Sequence, residues 1–289
     1  GFINPAIISY YKDLDFKKDT YYRMSLVVVD FLTAVIAGFV LRNTYALILP
    51  IFFSAMADVF ISFYFVRLKP KFEFSSVVFK EIFHQTKWLN NISILDYLNK
   101  NLDNLIIGKI LGTMSLGFYQ TSFAITQSAT SELGLSVIHA TFPIYSRLSD
   151  DLARLKAAFV KVILSFSGLL VLPTLIFILF PQLIADLQFG KQWGGVAAIL
   201  PILVVSGYLQ GLFNIGSTLF TVRRKYSFLT FVLGVTLISM VVGLLYLTPK
   251  YGLIGGATSV LISRLITLPF FFYFTMRTLS EQSDITQKV

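Results

Sequence analysis

The sequence has no cysteine and only two histidines, His84 and His139. The first absence excludes disulfides and thiol chemistry and leaves the redox compartment unreadable. The second leaves too few imidazoles for a histidine-based metal site. Charge is scarce too: 13% of the 289 residues are charged against 55% hydrophobic, and mean hydropathy is +0.74. A soluble domain of this length is not so apolar. Soluble-enzyme signatures are missing: there is no Gly-rich loop before a Lys-Ser/Thr pair, no H-E-x-x-H and no G-x-S-x-G. Gly252, Gly255 and Gly256 imitate a phosphate loop only superficially, because they open an apolar run where small residues permit close helix packing. No catalytic residue, metal site or cofactor is expected.

What is present is a series of apolar runs, each about long enough to cross a bilayer. They lie at about 22–41, 44–66, 88–111, 114–140, 156–179, 196–221, 226–247 and 251–275. Arg42-Asn43, Pro70, Gly112, Pro181, Gly190 and Pro249-Lys250 punctuate them. The expected fold is an all-α, polytopic transmembrane helical bundle with about eight spans. The 29 Phe and 14 Tyr suit lipid-facing and interfacial positions.

The formal net charge of +9 would suggest nucleic acid in a soluble protein; here the positive-inside rule accounts for it better, and no nucleic-acid partner is expected. One alternate set of loops carries Lys12, Lys17, Lys18 and Arg23, then Arg67 to Lys87, then Arg147 to Lys161, then Arg223, Arg224 and Lys225, then Arg277 and Lys288. The other set carries Arg42, Lys109, Lys191 and Lys250, one per loop. The rule puts the first set, and both termini of this chain, in the cytoplasm of a plasma (inner) membrane protein. The opening GFINPAIISYYKDLDF begins without Met and shows no signal peptide, so the chain reads as a fragment, with Gly1–Tyr10 the tail of an earlier span. Segment 73–87, EFSSVVFKEIFHQTK, is too short and polar to span, and its apolar stripe predicts an interfacial helix, with a gating role as the alternative.

Only Lys100 and Arg264 are basic residues deep inside predicted spans. Run 88–111 also carries Asp96, Asn99, Asn101, Asp103 and Asn104. A mid-membrane charge costs roughly 2.5–3.5 kcal/mol on insertion scales, so such groups must face water, one another or a polar substrate. At 100° per residue, Asp96, Asn99, Lys100 and Asp103 share one side, with Leu95, Leu98, Leu102, Leu105 and Ile106 on the other. A substrate or ion site and a structural charge network both fit. Lys100 would attract an anion, with Asn99 and Asn104 beside it, while Asp96 and Asp103 would couple to H⁺ or Na⁺. Arg264 is either a second phosphate contact or the partner of a carboxylate. Glu132, on the unusually polar run 114–140, is a third candidate for ion coupling; His139, seven residues on, reads as interfacial. Asp30 and Asp58 read as partners for a missing helix rather than a site.

LDNLIIGKILGTMSLGFYQTSFAI (102–125) followed by FPIYSRLSDD (142–151), with GFINPAIISYYKDLDFKKDTYYR (1–23) and YGLIGGATSVLISRLI (251–266), resembles the polysaccharide exporters and oligosaccharide flippases of the multidrug/oligosaccharidyl-lipid/polysaccharide superfamily, closest to the lipopolysaccharide/colanic-acid exporter branch. The resemblance implies two helical lobes around a central cavity. Residues 1–70 would be the end of a first, incomplete lobe, 71–87 an interfacial linker, 88–276 the second lobe and 277–289 a cytoplasmic tail. It also implies flipping of a lipid-linked (polyprenyl-pyrophosphate) oligosaccharide to the outer leaflet, with Lys100 and Arg264 on the pyrophosphate. Membrane lipid and other polysaccharide assembly proteins are the further partners it suggests. A multidrug/cation antiporter of the same superfamily is the nearest alternative, although Lys100 and Arg264 suit a cationic drug poorly. A membrane-embedded polymerase or glycosyltransferase is the alternative from another class. Its usual large outer loop has no counterpart, since 180–195 offers only Asp186 and Lys191.

Overall fold

Glycine decides where the two longest helices bend. The computed structural model describes residues 3–4, 16–43, 45–65, 75–149 and 151–281. The described residues form α-helices and one 3₁₀ turn, with no strand among them. They are α1 (Phe16–Leu41), α2 (Tyr45–Phe65), α3 (Ser76–Arg147), α4 (Leu152–Leu179), α5 (Pro181–Phe189), the 3₁₀ turn Lys191–Trp193, α6 (Gly194–Val222) and α7 (Tyr226–Ser280). Helix α3 folds back at Gly112 (φ 83°, ψ 176°) and α7 at Gly252 (φ 60°, ψ −138°), both in regions closed to a residue with a Cβ. Each is therefore two antiparallel arms joined by one glycine. In α7 the arms also touch at Gly255, where a Cβ would lie 2.2 Å from the Leu247 carbonyl oxygen.

Among the described residues, five helices are long and apolar enough to cross a membrane: Lys17–Leu41, Ile48–Phe65, Leu152–Leu179, Lys191–Val222 and Tyr226–Ser280. The last is two arms, so it supplies two crossings. The chain is a multi-pass, all-α membrane protein. Runs 88–111 and 114–140 became the two arms of α3. They are not among the five because their polar residues lower the hydropathy, and several of those residues are buried inside the bundle. Of the segment 73–87 expected as an interfacial helix, 73–74 lie outside the described residues, and from Ser76 the rest is helical as the first part of α3.

The chain divides into two compact units, Gly1–Lys80 and Glu81–Val289. In the first, α1 and α2 form a hairpin turned by Arg42 in the left-handed region (φ 47°). Tyr22 Oη donates to the Asp58 carboxylate across it. Phe31, Phe39, Phe52 and Phe60 stay exposed, as expected of surfaces that meet lipid.

In the second unit, Ile107 and Tyr119 from α3, Ile199 and Leu203 from α6, and Met240, Leu244, Ala257 and Val260 from α7 form the largest core. Leu102 and Ile106 of the predicted greasy face pack against it, whereas Leu105 is exposed. Helix α4 starts where the Asp151 carboxylate caps the Arg154 amide at 3.1 Å. The basic loops of this unit meet at one end of the bundle. Buried Arg223 donates to the carbonyls of Ser149 (2.9 Å) and Glu281, and Lys225 Nζ lies 2.6 Å from Glu281 Oε2. Ser149, Arg223, Lys225 and the end of α7 therefore lie on one side. At the other end, Trp193 packs edge-on against Phe118 with ring centroids 5.5 Å apart.

Candidate functional site

The polar residues of α3 split into two pairs, each one helical turn apart. Asn99 and Asp103 are buried; Asp96 and Lys100 remain accessible, with side chains 40% and 49% exposed. The four expected on one polar front therefore occupy two neighbouring strips of the helix. The inner strip ties the bundle together. Asn99 Nδ2 donates to the Leu233 carbonyl of α7 at 3.1 Å and to Leu95 at 2.8 Å. Asp103 accepts 2.7 Å from Tyr119 Oη on the other arm of α3, and 2.8 Å from the Asn104 amide. On the outer strip, Lys100 Nζ lies 2.6 Å from Asp96 Oδ2.

A narrow crevice joins Asn99 and Lys100 to residues of three other helical arms. Thr126 and Gln127 come from the second arm of α3, Ser206, Gln210 and Asn214 from α6, and Arg264 from α7. It has room for about one water molecule. Ser206, Gln210 and Asn214 recur at every fourth residue, so they form one face of an otherwise apolar helix. That spacing was the available signal for them. It passed unread because none of the three is ionisable. Tyr119 was missed for another reason: nothing in sequence says which tyrosine reaches a buried carboxylate.

Arg264 is half-buried, and its Nε is wholly buried without a hydrogen-bond partner. Among the described residues no carboxylate comes within 4.0 Å of it. The negative charges that act on it from farther away are those of Asp103 and Asp96. Asn99 Oδ1 and Gln210 Oε1, on the same crevice, are likewise buried and unpaired. Buried polar atoms normally have partners, and three orphans on one small crevice set it apart.

Other expected residues stand apart. Asn104 neighbours Asp103 but does not line the crevice, and its Oδ1 is buried and unpaired. The side chain of Glu132 lies outside the described residues. His139 is exposed on α3. Asp30, Asp58 and Ser54 line one recess in the first unit. Among the described residues, no group of three or more His, Asp or Glu is placed to hold a metal ion.

The wall of the crevice combines two cations with amides and hydroxyls. Lys100 supplies a compact charge, and Arg264 a planar fork that fits phosphate or carboxylate oxygens. The amides of Asn99, Gln210 and Asn214 can exchange hydrogen bonds with hydroxyl groups.

The chain is similar to the lipopolysaccharide biosynthesis protein WzxC of Escherichia coli (27% identity, over 74% of this chain and 44% of the relative). It is also similar to the capsular polysaccharide biosynthesis protein CapF of Staphylococcus aureus (26%, over 78% and 58%) and the teichuronic acid biosynthesis protein TuaB of Bacillus subtilis (22%, over 56% and 33%). The chain thus spans between a third and three-fifths of the length of these relatives. No solved structure matches it. The profile of one family, described as polysaccharide biosynthesis protein, matches residues 1–198. On that match, which covers more than half of the sequence, the chain belongs to the polysaccharide biosynthesis protein family.

Proposed function

We propose that the protein is a membrane transporter that flips a lipid-linked (polyprenyl-pyrophosphate) oligosaccharide from the cytoplasmic to the outer leaflet, for surface polysaccharide assembly. The observation that carries this reading is that Lys100 and Arg264, 164 positions apart in sequence, line one polar crevice. Two like charges on a confined, low-dielectric wall repel each other, and an anion between them relieves that repulsion. A pyrophosphate supplies the anion, and the attached sugars supply hydroxyls for the amides around it. Lys100 can exchange its present partner for such an anion, because that partner is an accessible carboxylate one turn away on the same helix.

The crevice is too narrow for that guest as it stands, so the arms of α3, α6 and α7 must part to admit it. Alternating access supplies such parting, with the site opening to one side and then the other. In this reading Asp96, Asp103 and Glu132 couple the cycle to H⁺ or Na⁺. The end of the bundle carrying Arg223, Lys225 and Arg277 faces the cytoplasm of the inner membrane. A cationic drug is the poorer guest, since two basic side chains would oppose it.

The test is translocation of a fluorescent undecaprenyl-pyrophosphate oligosaccharide in proteoliposomes holding the full-length protein. Wild type should move the probe. Lys100→Ala and Arg264→Gln should lose most of that activity while inserting and unfolding as wild type does. Full activity in both variants would remove the crevice from the mechanism. Failure of folded wild type to move any of a panel of glycans would end the flippase reading.

A further inference from the structure

A second cavity lies on the outside of the second unit, and its two ends differ in chemistry. It is a groove of ≈ 310 Å³ between α4, α6 and the second arm of α7. Val160, Ile163 and Leu164 of α4 face Leu268, Phe271 and Phe272 of α7 across it. Val160, Leu164, Leu268 and Phe272 are exposed, so the groove opens to the surroundings of the bundle. Of the three threonines in its wall, Thr236 and Thr267 satisfy each other at 2.9 Å, and Thr275 Oγ1 is buried without a partner. At the basic end of the bundle, the groove shares Lys156, Met276 and Leu279 with an adjoining cleft that also holds Tyr273, Arg277 and Ser280. Arg277 already pairs with Glu281 at 2.7 Å. Lys156 has no ion-pair partner among the described residues.

We infer that this groove is a binding site for an anionic phospholipid of the leaflet at the basic end, with its phosphate against Lys156 and Arg277 and an acyl chain along α4 and α7. Charge is the first argument: an apolar slot with a cationic mouth matches an apolar chain with an anionic head. Basic pockets between spans on one side of a membrane are recurrent anionic-lipid sites. Length is the second. From Leu279 to Arg264 the groove follows α7 for about 22 Å, which is the depth of a single leaflet of a ~40–45 Å bilayer with its headgroups. A phospholipid fills that length, whereas a long polyprenyl chain exceeds it. Arg264 lines both the deep end of the groove and the polar crevice. A lipid seated here would therefore press on the helix that carries a crevice cation, and its binding would bias how far α4 and α7 can separate.

The test uses the full-length protein in nanodiscs of phosphatidylcholine doped with phosphatidylglycerol that carries a diazirine on one acyl chain. Photolabelled residues are then mapped by mass spectrometry. Labels should fall within 160–164 and 268–276, and a diazirine phosphatidylcholine should label these positions much less. Lys156→Ala should reduce the phosphatidylglycerol label about fivefold, the share of one basic residue at an anionic surface. Val160→Trp, which fills the groove and keeps the cationic mouth, should also reduce it. Both variants should keep the wild-type unfolding temperature. Equal labelling by the two lipids, or undiminished labelling in folded Lys156→Ala, would overturn the inference. So would displacement of the label by an equimolar amount of undecaprenyl phosphate, which would make this a carrier-lipid site.

Discussion

Tyr119 donates a 2.7 Å hydrogen bond to the carboxylate of Asp103, with both side chains buried between the two arms of α3. A carboxylate in that position would be untenable alone. Here it has the phenol, the Asn104 amide, and the charge of Arg264 acting from α7. The relationship spans the Gly112 bend, so it also fixes how the two arms face each other. Asp103 thus couples the internal geometry of α3 to the cation of the crevice.

Tyr119→Phe should destabilise the protein by about 1–3 kcal/mol, since it leaves a buried acceptor unsatisfied. Asp103→Asn should cost less, because the amide oxygen still accepts from Tyr119. The two changes combined should fall short of additivity, as expected for contacting partners. Thermal unfolding in detergent, followed by tryptophan fluorescence, measures all three. Equal and additive losses would mean that the hydrogen bond carries no coupling.

Much of the fold was legible because membrane spans declare themselves by length and apolarity. The runs read at 156–179, 196–221, 226–247 and 251–275 correspond to α4, α6 and the two arms of α7. Three segments that carry basic residues meet at one end of the second unit, where Arg223 and Lys225 bond to Ser149 and Glu281. The site was legible only in part. Ionisable residues in apolar runs attract notice, so Lys100, Asp103 and Arg264 stood out. Helical periodicity placed Asn99, Asp103, Asp96 and Lys100 on one front, yet about 60–100° of rotation separates buried from exposed, and which strip faces a neighbour depends on packing that periodicity does not encode. Partners distant in sequence, such as Tyr119, and uncharged contributors, such as Gln210, needed the fold.

Gly252 and Gly255 should be irreplaceable for different reasons. Gly252→Ala puts a Cβ into a backbone region open only to glycine, at a cost on the order of 1–3 kcal/mol. Gly255→Val drives its side chain into the Leu247 carbonyl, which is backbone and cannot swing away. Gly234 is the control: a Cβ there meets nothing within 4 Å, so Gly234→Ala should be neutral or stabilise by about 0.4–1 kcal/mol. Apparent unfolding temperatures of the three variants should order accordingly, and a loss at Gly234 matching the other two would refute the geometric account.

Glu281 should make the basic end of the bundle sensitive to acid. Hydrogen bonds from Lys225 and Arg277 hold its carboxyl below its ordinary value of 4.5. A lowered folded pKa means the stabilisation is complete above the unfolded value and fades as pH falls through the folded one. Unfolding temperature should therefore decline below about pH 4.5, where the unfolded chain begins to bind the extra proton. Glu281→Gln should lower stability at neutral pH and make that decline shallower. An identical pH profile in the variant would show that other carboxylates dominate.

Asp96 and Lys100 offer the sharpest test of how an anion would be recruited. They pair within one turn of α3, at 2.6 Å, while both stay accessible. If a phosphate displaces Asp96 from Lys100, the released carboxylate becomes free to take a proton or Na⁺, and substrate binding and ion uptake are one exchange. Asp96→Asn should then bind the lipid-linked oligosaccharide at least as tightly as wild type, because the competing negative charge is gone. It should also lose the response of translocation to an imposed pH or Na⁺ gradient. Lys100→Arg should retain part of both properties, and Lys100→Ala neither. Binding by fluorescence anisotropy and transport under a gradient separate the two readouts. A gradient response that survives Asp96→Asn would move the coupling role to Asp103 or Glu132.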